Sequence, residues 1–288
     1  MTMVLGTPTV DGVREAMAAL REWQDDETPM QLHPGDIGWH YRFGPAGTAS
    51  AIRTWRRAGR ILAVGMLDSP TLLRMTVAPD AFQDEDLARR LAEDLSLPER
   101  GVLPEGAASV EAPPGLLLHD LLSEEGWGTD EPWTPLFRDL TAPVDTPGVR
   151  IEPIGPEQAQ DFADVLRSAF STSRPTSEYR HAMAAGPFSA DARCLGAYDD
   201  QGSVAAVVTV WSAGPGKPGL VEPMGVHEDH RGRGYGRAIS VAGAAALREL
   251  GSSSARVCTP SSNAGAVATY RAAGFEVRGE VRDRVRVG

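Results

Sequence analysis

One stretch limits what this chain can fold into more than any other: Val226-His227-Glu228-Asp229-His230-Arg231-Gly232-Arg233-Gly234-Tyr235-Gly236-Arg237-Ala238. The apolar run before it, Gly219–Val226, reads as a strand, and residues 238–247 after it read as a helix. Alternating glycines at 232, 234 and 236 free the backbone at this strand-to-helix corner. There amide hydrogens can converge on an anion, and the helix N-terminus adds partial positive charge. The corner is suited to cradling a phosphate.

Spacing excludes two common cradles. A nucleoside-triphosphate loop would end in Gly-Lys-Ser/Thr, whereas this chain gives Gly236-Arg237-Ala238. A dinucleotide fingerprint needs its third glycine where Arg237 stands. What remains is Arg231-x-x-Gly234-x-Gly236, with Val226 five residues before Arg231. That arrangement resembles the acyl-CoA pyrophosphate loop of the GNAT superfamily of N-acyltransferases, usually Arg/Gln-x-x-Gly-x-Gly/Ala. The resemblance covers residues 149–288 well and residues 1–140 only as a degenerate repeat.

Periodicity supplies the elements. A helix is expected from a cap at Asp11, with Val13, Met17, Leu20 and Trp23 on one face. Residues 35–43 read as a strand, 52–56 as a short amphipathic segment, and 60–67 with 71–77 as a hairpin. A helix over 84–95, a short strand over 108–112 and a helix over 115–127 follow. Turn formers collect over 141–148, so the domains are placed at 1–145 and 149–288. The second half begins with a strand and then a helix whose face carries Phe162, Val165, Leu166 and Phe170. A helix over 177–185, strands over 193–198 and 204–211, a strand over 254–259 and a helix over 263–273 complete it. The last residues alternate valine with Arg282, Arg284 and Arg286, which reads as an edge strand with a solvated basic face.

Both halves close a helix on glycine plus an aromatic, Gly126-Trp127 and Gly274-Phe275. The expected class is therefore α/β of the mixed α+β kind: two tandem GNAT-like domains, each a mixed, mainly antiparallel sheet flanked by helices. The first copy lacks the glycine loop and carries Asp80, Asp84, Glu85 and Asp86 in its place, which would repel a pyrophosphate. It is expected to serve as a structural partner or a substrate wall.

The resemblance implies a site. In the family, the strand before the loop splays from its neighbour, and its free backbone binds the pantetheine arm and acyl carbonyl; by position this falls to Met224 and Val226. The pyrophosphate would rest on the amides of Arg231, Gly232, Arg233, Gly234, Tyr235 and Gly236, with the side chains of Arg231 and Arg233 either adding charge or lying on the surface. Asn263 is placed to cap the last helix and, in the family, to touch the CoA arm.

Acyl transfer to an amine needs a base for the ammonium proton and an acid for the departing thiolate. Glu222, two residues before Met224, shares its face by strand alternation and is the candidate base, or else a solvent-facing glutamate. Tyr270 stands four residues before Gly274, where the family often keeps a tyrosine beside the CoA sulfur. Its phenol, ordinarily near a pKa of about 10, is the candidate acid, or else the ring simply packs on an amphipathic helix. The first-half counterpart, Leu122, cannot donate a proton. Trp39, Tyr41, Trp55, Phe170, Tyr179 and Trp211 either line an acceptor pocket or fill the core.

Composition narrows the partners. A net charge of −11 argues against nucleic acid and favours amine-bearing molecules. Two cysteines, Cys194 and Cys258, imply no disulfide framework and read as small buried hydrophobes. No apolar run is long enough for a bilayer and no signal segment opens the chain, so a cytoplasmic setting is expected. His227, Glu228, Asp229 and His230 are adjacent on a turn and are not expected to converge on a metal. The reading is a transfer of acetyl from acetyl-CoA, as cosubstrate, to a small-molecule amine. A protein N-acetyltransferase and a non-catalytic acyl-CoA-binding regulator remain open beside it.

Overall fold

The computed structural model describes residues 2–288. They form two compact units, each discontinuous in sequence: unit 1 takes residues 2–33, Pro45–Trp133 and Glu280–Gly288, and unit 2 takes Pro34–Gly44 and Thr134–Gly279.

The first strand, β1 (Met3–Gly6), precedes α1 (Val13–Trp23), which buries Val13, Met17, Leu20 and Trp23 at the expected helical spacing. Asp11 does not cap α1. The cap position is Gly12, whose amide donates to the Thr9 hydroxyl at 3.2 Å, so the preceding turn starts the helix. Residues 35–43 are not a strand but α2 (Pro34–His40) and a short 3-10 turn, Tyr41–Phe43. Pro34 presets the first helical φ and Asp36 sits where the helix dipole favours an acid, and these outweigh the aromatics that suggested a strand. Then come α3 (Gly44–Ala51), β2 (Ile52–Arg57), β3 (Arg60–Ser69) and β4 (Leu72–Val77), with β3 and β4 paired as the expected hairpin. Asp84 caps α4 (Glu85–Ser96), accepting the Leu87 amide at 2.9 Å. After β5 (Ala108–Glu111) and α5 (Leu118–Glu124) comes β6 (Gly128–Asp139), which was not anticipated because Pro132 and Pro135 interrupt it.

The remaining elements are β7 (Arg150–Pro153), α6 (Ala159–Phe170), α7 (Ser177–Ala185), β8 (Ala192–Tyr198), β9 (Val204–Ser212) and β10 (Gly219–Val226). They continue through α8 (Tyr235–Glu249), β11 (Ser254–Pro260), α9 (Ala264–Ala272), β12 (Glu276–Val277) and β13 (Val281–Arg286). On α6, Phe162, Val165 and Leu166 are buried as expected, whereas Phe170 is 55% exposed because the helix ends there, with Ser171 in the left-handed region.

In unit 1 the strands run β1-β2-β3-β4-β5-β13 and then the first half of β6, antiparallel except for β4 with β5. The terminal strand is thus not an edge: β13 pairs with β5 on one side and β6 on the other. Its arginines are engaged, Arg284 with the Ser123 hydroxyl at 2.6 Å, Arg286 with the Gly106 carbonyl at 2.8 Å and Arg282 with the Asp130 carbonyl at 2.8 Å.

In unit 2 the second half of β6 neighbours β11, followed by β10, β9, β8 and β7, while β12 pairs with β6. Strand β10 runs parallel to β11, whereas β10–β9, β9–β8 and β8–β7 are antiparallel. One sheet face carries Val208, Val210 and Val221, which form a core with Ile239 and Leu247 of α8 and Tyr270 of α9. The other face meets α6 and α2. A Cβ on Gly225 would lie 2.8 Å from that of Ala169, and one on Gly38 would lie 2.4 Å from the Trp211 ring. Each unit is therefore a mixed, mainly antiparallel sheet flanked by helices, as the sequence led one to expect.

Candidate functional site

Strand β10 supplies the first part of the site by leaving its neighbour. It pairs with β11 only at Gly219 with Ala255 and Leu220 with Arg256, and beyond Leu220 the two strands part. On its other side β10 stays with β9 as far as Val226 opposite Ala206, with a register shift between Val221 and Met224. The Trp211 indole fixes that irregularity by donating to the Glu222 carbonyl at 2.8 Å. Further on, the His227 amide donates to the Ala205 carbonyl of the β9 side at 2.9 Å. Backbone groups alternate along a strand, so those of Met224 and Val226 turn to the opening left by β11.

The loop after β10 supplies the second part. Gly232 and Gly234 have φ of +74° and +86°, and a Cβ at either would meet nothing within 4 Å. Backbone conformation alone therefore calls for glycine there, and the space beside it stays open. Gly236 is needed for closeness instead: its Cβ would lie 2.9 Å from Thr269 Cγ2 and 3.3 Å from Val226 Cγ2. Gly234 caps α8 without a side chain, and no acid stands in the first turn. Intrahelical bonding begins only with the Ala238 amide, on the Gly234 carbonyl at 3.0 Å. Among the described residues, the amides of Gly232 through Arg237 donate to no protein acceptor. A run of such donors at a helix N-terminus fits a diphosphate.

Arg231, expected in this cradle, is drawn out of it. Its amide donates to the Glu228 carbonyl at 3.2 Å, and its guanidinium to the Ala169 carbonyl at the end of α6 at 3.1 Å. The 3-10 turn Glu228–His230 claims the amide, and the negative end of α6 attracts the charge. Arg233 is exposed beside the open loop. The corresponding helix of unit 1, α4, already satisfies its own N-terminus with Asp84, followed by Glu85 and Asp86, and Arg57 pairs with Asp84.

The third part is a buried phenol. Tyr270 on α9 is 5% exposed, and its ring meets that of Phe275 at 5.7 Å. Burial first, then the Glu222 charge and Cys258, push the phenol well above its ordinary range. Half-buried Glu222 on β10 and partly exposed Cys258 on β11 are thus brought within electrostatic reach of Tyr270. Cys258, expected from the sequence to be a small buried hydrophobe, is partly exposed; its place on the strand opposite the opening leaves no local sequence signal. Asn263 caps α9, its Oδ1 accepting the Ala266 amide at 3.1 Å.

Of the aromatics, Trp55 is wholly buried with its Nε1 on Asp94 at 2.9 Å, and Trp211 is covered by α2. Tyr41 meets Phe188 at 6.0 Å, and Tyr179 meets Phe43 at 5.6 Å. Among the described residues, no group of three or more His, Cys, Asp or Glu side chains could hold a metal ion, and no helix is long and apolar enough to cross a membrane.

Residues 159–275 match the family model described as Acetyltransferase (GNAT) family. No curated protein matches the chain in sequence. Among solved structures, a tandem GNAT protein from the clavulanic acid biosynthesis pathway is similar, with TM-score 0.62 and 17% identity over 99% of this chain and 98% of that one. A GCN5-related N-acetyltransferase from Sphaerobacter thermophilus gives 0.60 and 18% over 99% and 95%. The N-myristoyltransferase of Saccharomyces cerevisiae, with bound myristoyl-CoA, gives 0.59 and 10% over 98% and 78%. The chain thus carries a GNAT-family domain in residues 159–275 and the fold of tandem GNAT structures over its length, and that family generally uses acyl-CoA.

Proposed function

We propose that this chain is an acetyl-CoA-dependent N-acetyltransferase acting on a primary amine of a small molecule, by direct transfer with both substrates bound. One observation carries the reading: β10 parts from β11 beyond Leu220, its Glu222 acts on the buried Tyr270 phenol, and the loop that follows it presents the unpartnered amides of Gly232–Arg237.

In this reading the amides of Gly232, Arg233, Gly234, Tyr235 and Gly236 bind the pyrophosphate, with Arg233 adding charge. The backbone of Met224 and Val226 aligns the pantetheine arm, and Asn263 borders it. Glu222 takes the proton shed by the amine as the carbon–nitrogen bond forms. Tyr270 gives its proton to the sulfur as the carbon–sulfur bond breaks. The two are linked: once Glu222 is neutral it no longer raises the Tyr270 phenol, which becomes a better acid when the thiolate departs. A chain of net charge −11 also attracts cationic amines.

The test is calorimetric titration of acetyl-CoA and CoA into wild type and Gly234→Glu, followed by thiol release over a panel of amines and peptides. Binding lost in the variant with the fold kept by circular dichroism, and turnover with small amines, are expected. Equal binding by both proteins would sink the site assignment; binding without thiol release would leave a regulator rather than an enzyme, and turnover of peptides alone would move the acceptor to proteins.

A further inference from the structure

Nothing in the catalytic reading uses His230 or Asp199, yet the two are tied to each other in unit 2 beside the glycine loop. His230 Nε2 lies 3.0 Å from Asp199 Oδ2, and the two side chains are 15% and 10% exposed. A carboxylate only accepts, so the shared proton sits on Nε2. The other Asp199 oxygen accepts the amides of Gln201 at 3.0 Å and Ser203 at 2.8 Å, so the carboxylate cannot swing. That hydrogen bond from His230, first among its causes, holds the Asp199 carboxyl below the usual range. The His230 ring also stands edge-on to Tyr235 at 5.6 Å and to His227 at 5.8 Å.

These contacts sit at the two ends of the glycine loop. His230 is the last residue before Arg231, and Tyr235 is the first residue of α8. Between them residues 231–234 are all exposed, and two are glycines at positive φ. An exposed glycine segment loses much backbone entropy when its amides are ordered around an anion, unless its ends are already held. We infer that His230, locked by Asp199 to the β8–β9 turn, is a positioning residue that presets the loop for a diphosphate, an inference that rests on the acyl-CoA reading above.

The experiment measures dissociation constants of CoA, and of pantetheine, which lacks the diphosphate, for wild type, His230→Ala, Asp199→Asn, the double variant and His230→Gln. Losing a hydrogen bond to a charged, mostly buried partner should weaken CoA by about tenfold in each single variant. The double variant should be little worse than either single, because both break one link. His230→Gln keeps an N–H near the Nε2 position and should bind CoA within about threefold of wild type. Pantetheine affinity should not change in any of them. Unchanged CoA affinity in His230→Ala and Asp199→Asn overturns the inference and leaves the acyl-CoA site standing. An equal loss for pantetheine and CoA also overturns it, since that reports a general loss of structure. If His230→Ala does not fold, Asp199→Asn against His230→Gln makes the same comparison. A wild type that binds no CoA overturns both readings together.

Discussion

The Trp211 indole and the Glu222 carbonyl are joined by a hydrogen bond of 2.8 Å across the β9–β10 irregularity, so the residue before Pro223 is held from a neighbouring strand. Trp211 is 3% exposed, and Gly38 of α2 packs on its ring. Trp211→Phe removes the indole donor from a part-buried hydrogen bond and takes away ring volume. A stability loss of about 1–3 kcal/mol is expected from urea unfolding. Because the tie sets where Glu222 stands, kcat should fall at least about tenfold with CoA affinity unchanged; a fall in CoA affinity alone would contradict this.

Tyr270 offers a direct optical check. Burial and then the charge of Glu222 raise its phenol, so tyrosinate should form at lower pH in Glu222→Gln than in wild type. Absorbance titration near 295 nm, with Tyr270→Phe identifying the signal, reads the difference. An unchanged titration in Glu222→Gln would mean that the two groups are not coupled. Tyr270→Phe should also lower kcat by about 10²–10⁴-fold, the usual range for a lost general acid, with little change in CoA affinity.

Gly236 is constrained by its neighbours, with its Cβ position 2.9 Å from Thr269 and 3.3 Å from Val226. Gly236→Val would force α8 away from α9 and β10. A destabilisation of about 1–3 kcal/mol is expected, together with weaker CoA binding because the first amides of α8 move. A Gly236→Val protein that melts with wild type and binds CoA equally would show that the close approach is unimportant.

How much of this was legible beforehand follows from the range of the forces involved. The loop was readable because its requirements are local: positive φ at Gly232 and Gly234 is written into those residues themselves. The core faces of α1 and α6 were readable for the same reason, as both helices bury one side at regular spacing. Residues 35–43 misled because aromatics suit strands, while Pro34 and the packing of Gly38 on Trp211 select a helix. Strand β6 was hidden by its prolines, and the neighbours of β13 by sequence distance. Local alternation put Glu222 on the face of Met224, but the register shift between Val221 and Met224 breaks that count, and the carboxylate is located instead by its charge acting on the Tyr270 phenol. The bond from His230 to Asp199 joins residues far apart in sequence and left no periodic trace.

Unit 1 has its own titration. The register pairs Arg74 with Glu111 and Arg284 with Val110, which sets Asp283 beside Glu111 on the neighbouring strand. Arg74 Nε reaches Glu111 at 3.1 Å. Burial, then Glu111, with Asp130 adding and Arg74 opposing, push the Asp283 carboxyl up to about 7 from an ordinary 3.8. The folded chain therefore holds a proton that the unfolded chain releases, and this contribution to stability is full below about pH 4 and lost as pH rises through about 7. Asp283→Asn cannot ionise, so its melting temperature should fall less than that of wild type between pH 5 and pH 8. Parallel curves would remove Asp283 as the cause.

The interleaving of the two units has a consequence for how the chain is made. Strand β13 lies between β5 and β6, so the unit 1 sheet cannot close until β13 has left the ribosome. Residues Pro34–Gly44 emerge early, yet their partners on β9 and β10 come much later. Each unit therefore waits for distant segments with apolar strands bare, the condition in which nascent chains aggregate or recruit chaperones. Residues 159–275 produced alone would carry the phosphate loop but leave Trp211 without the helix that covers it.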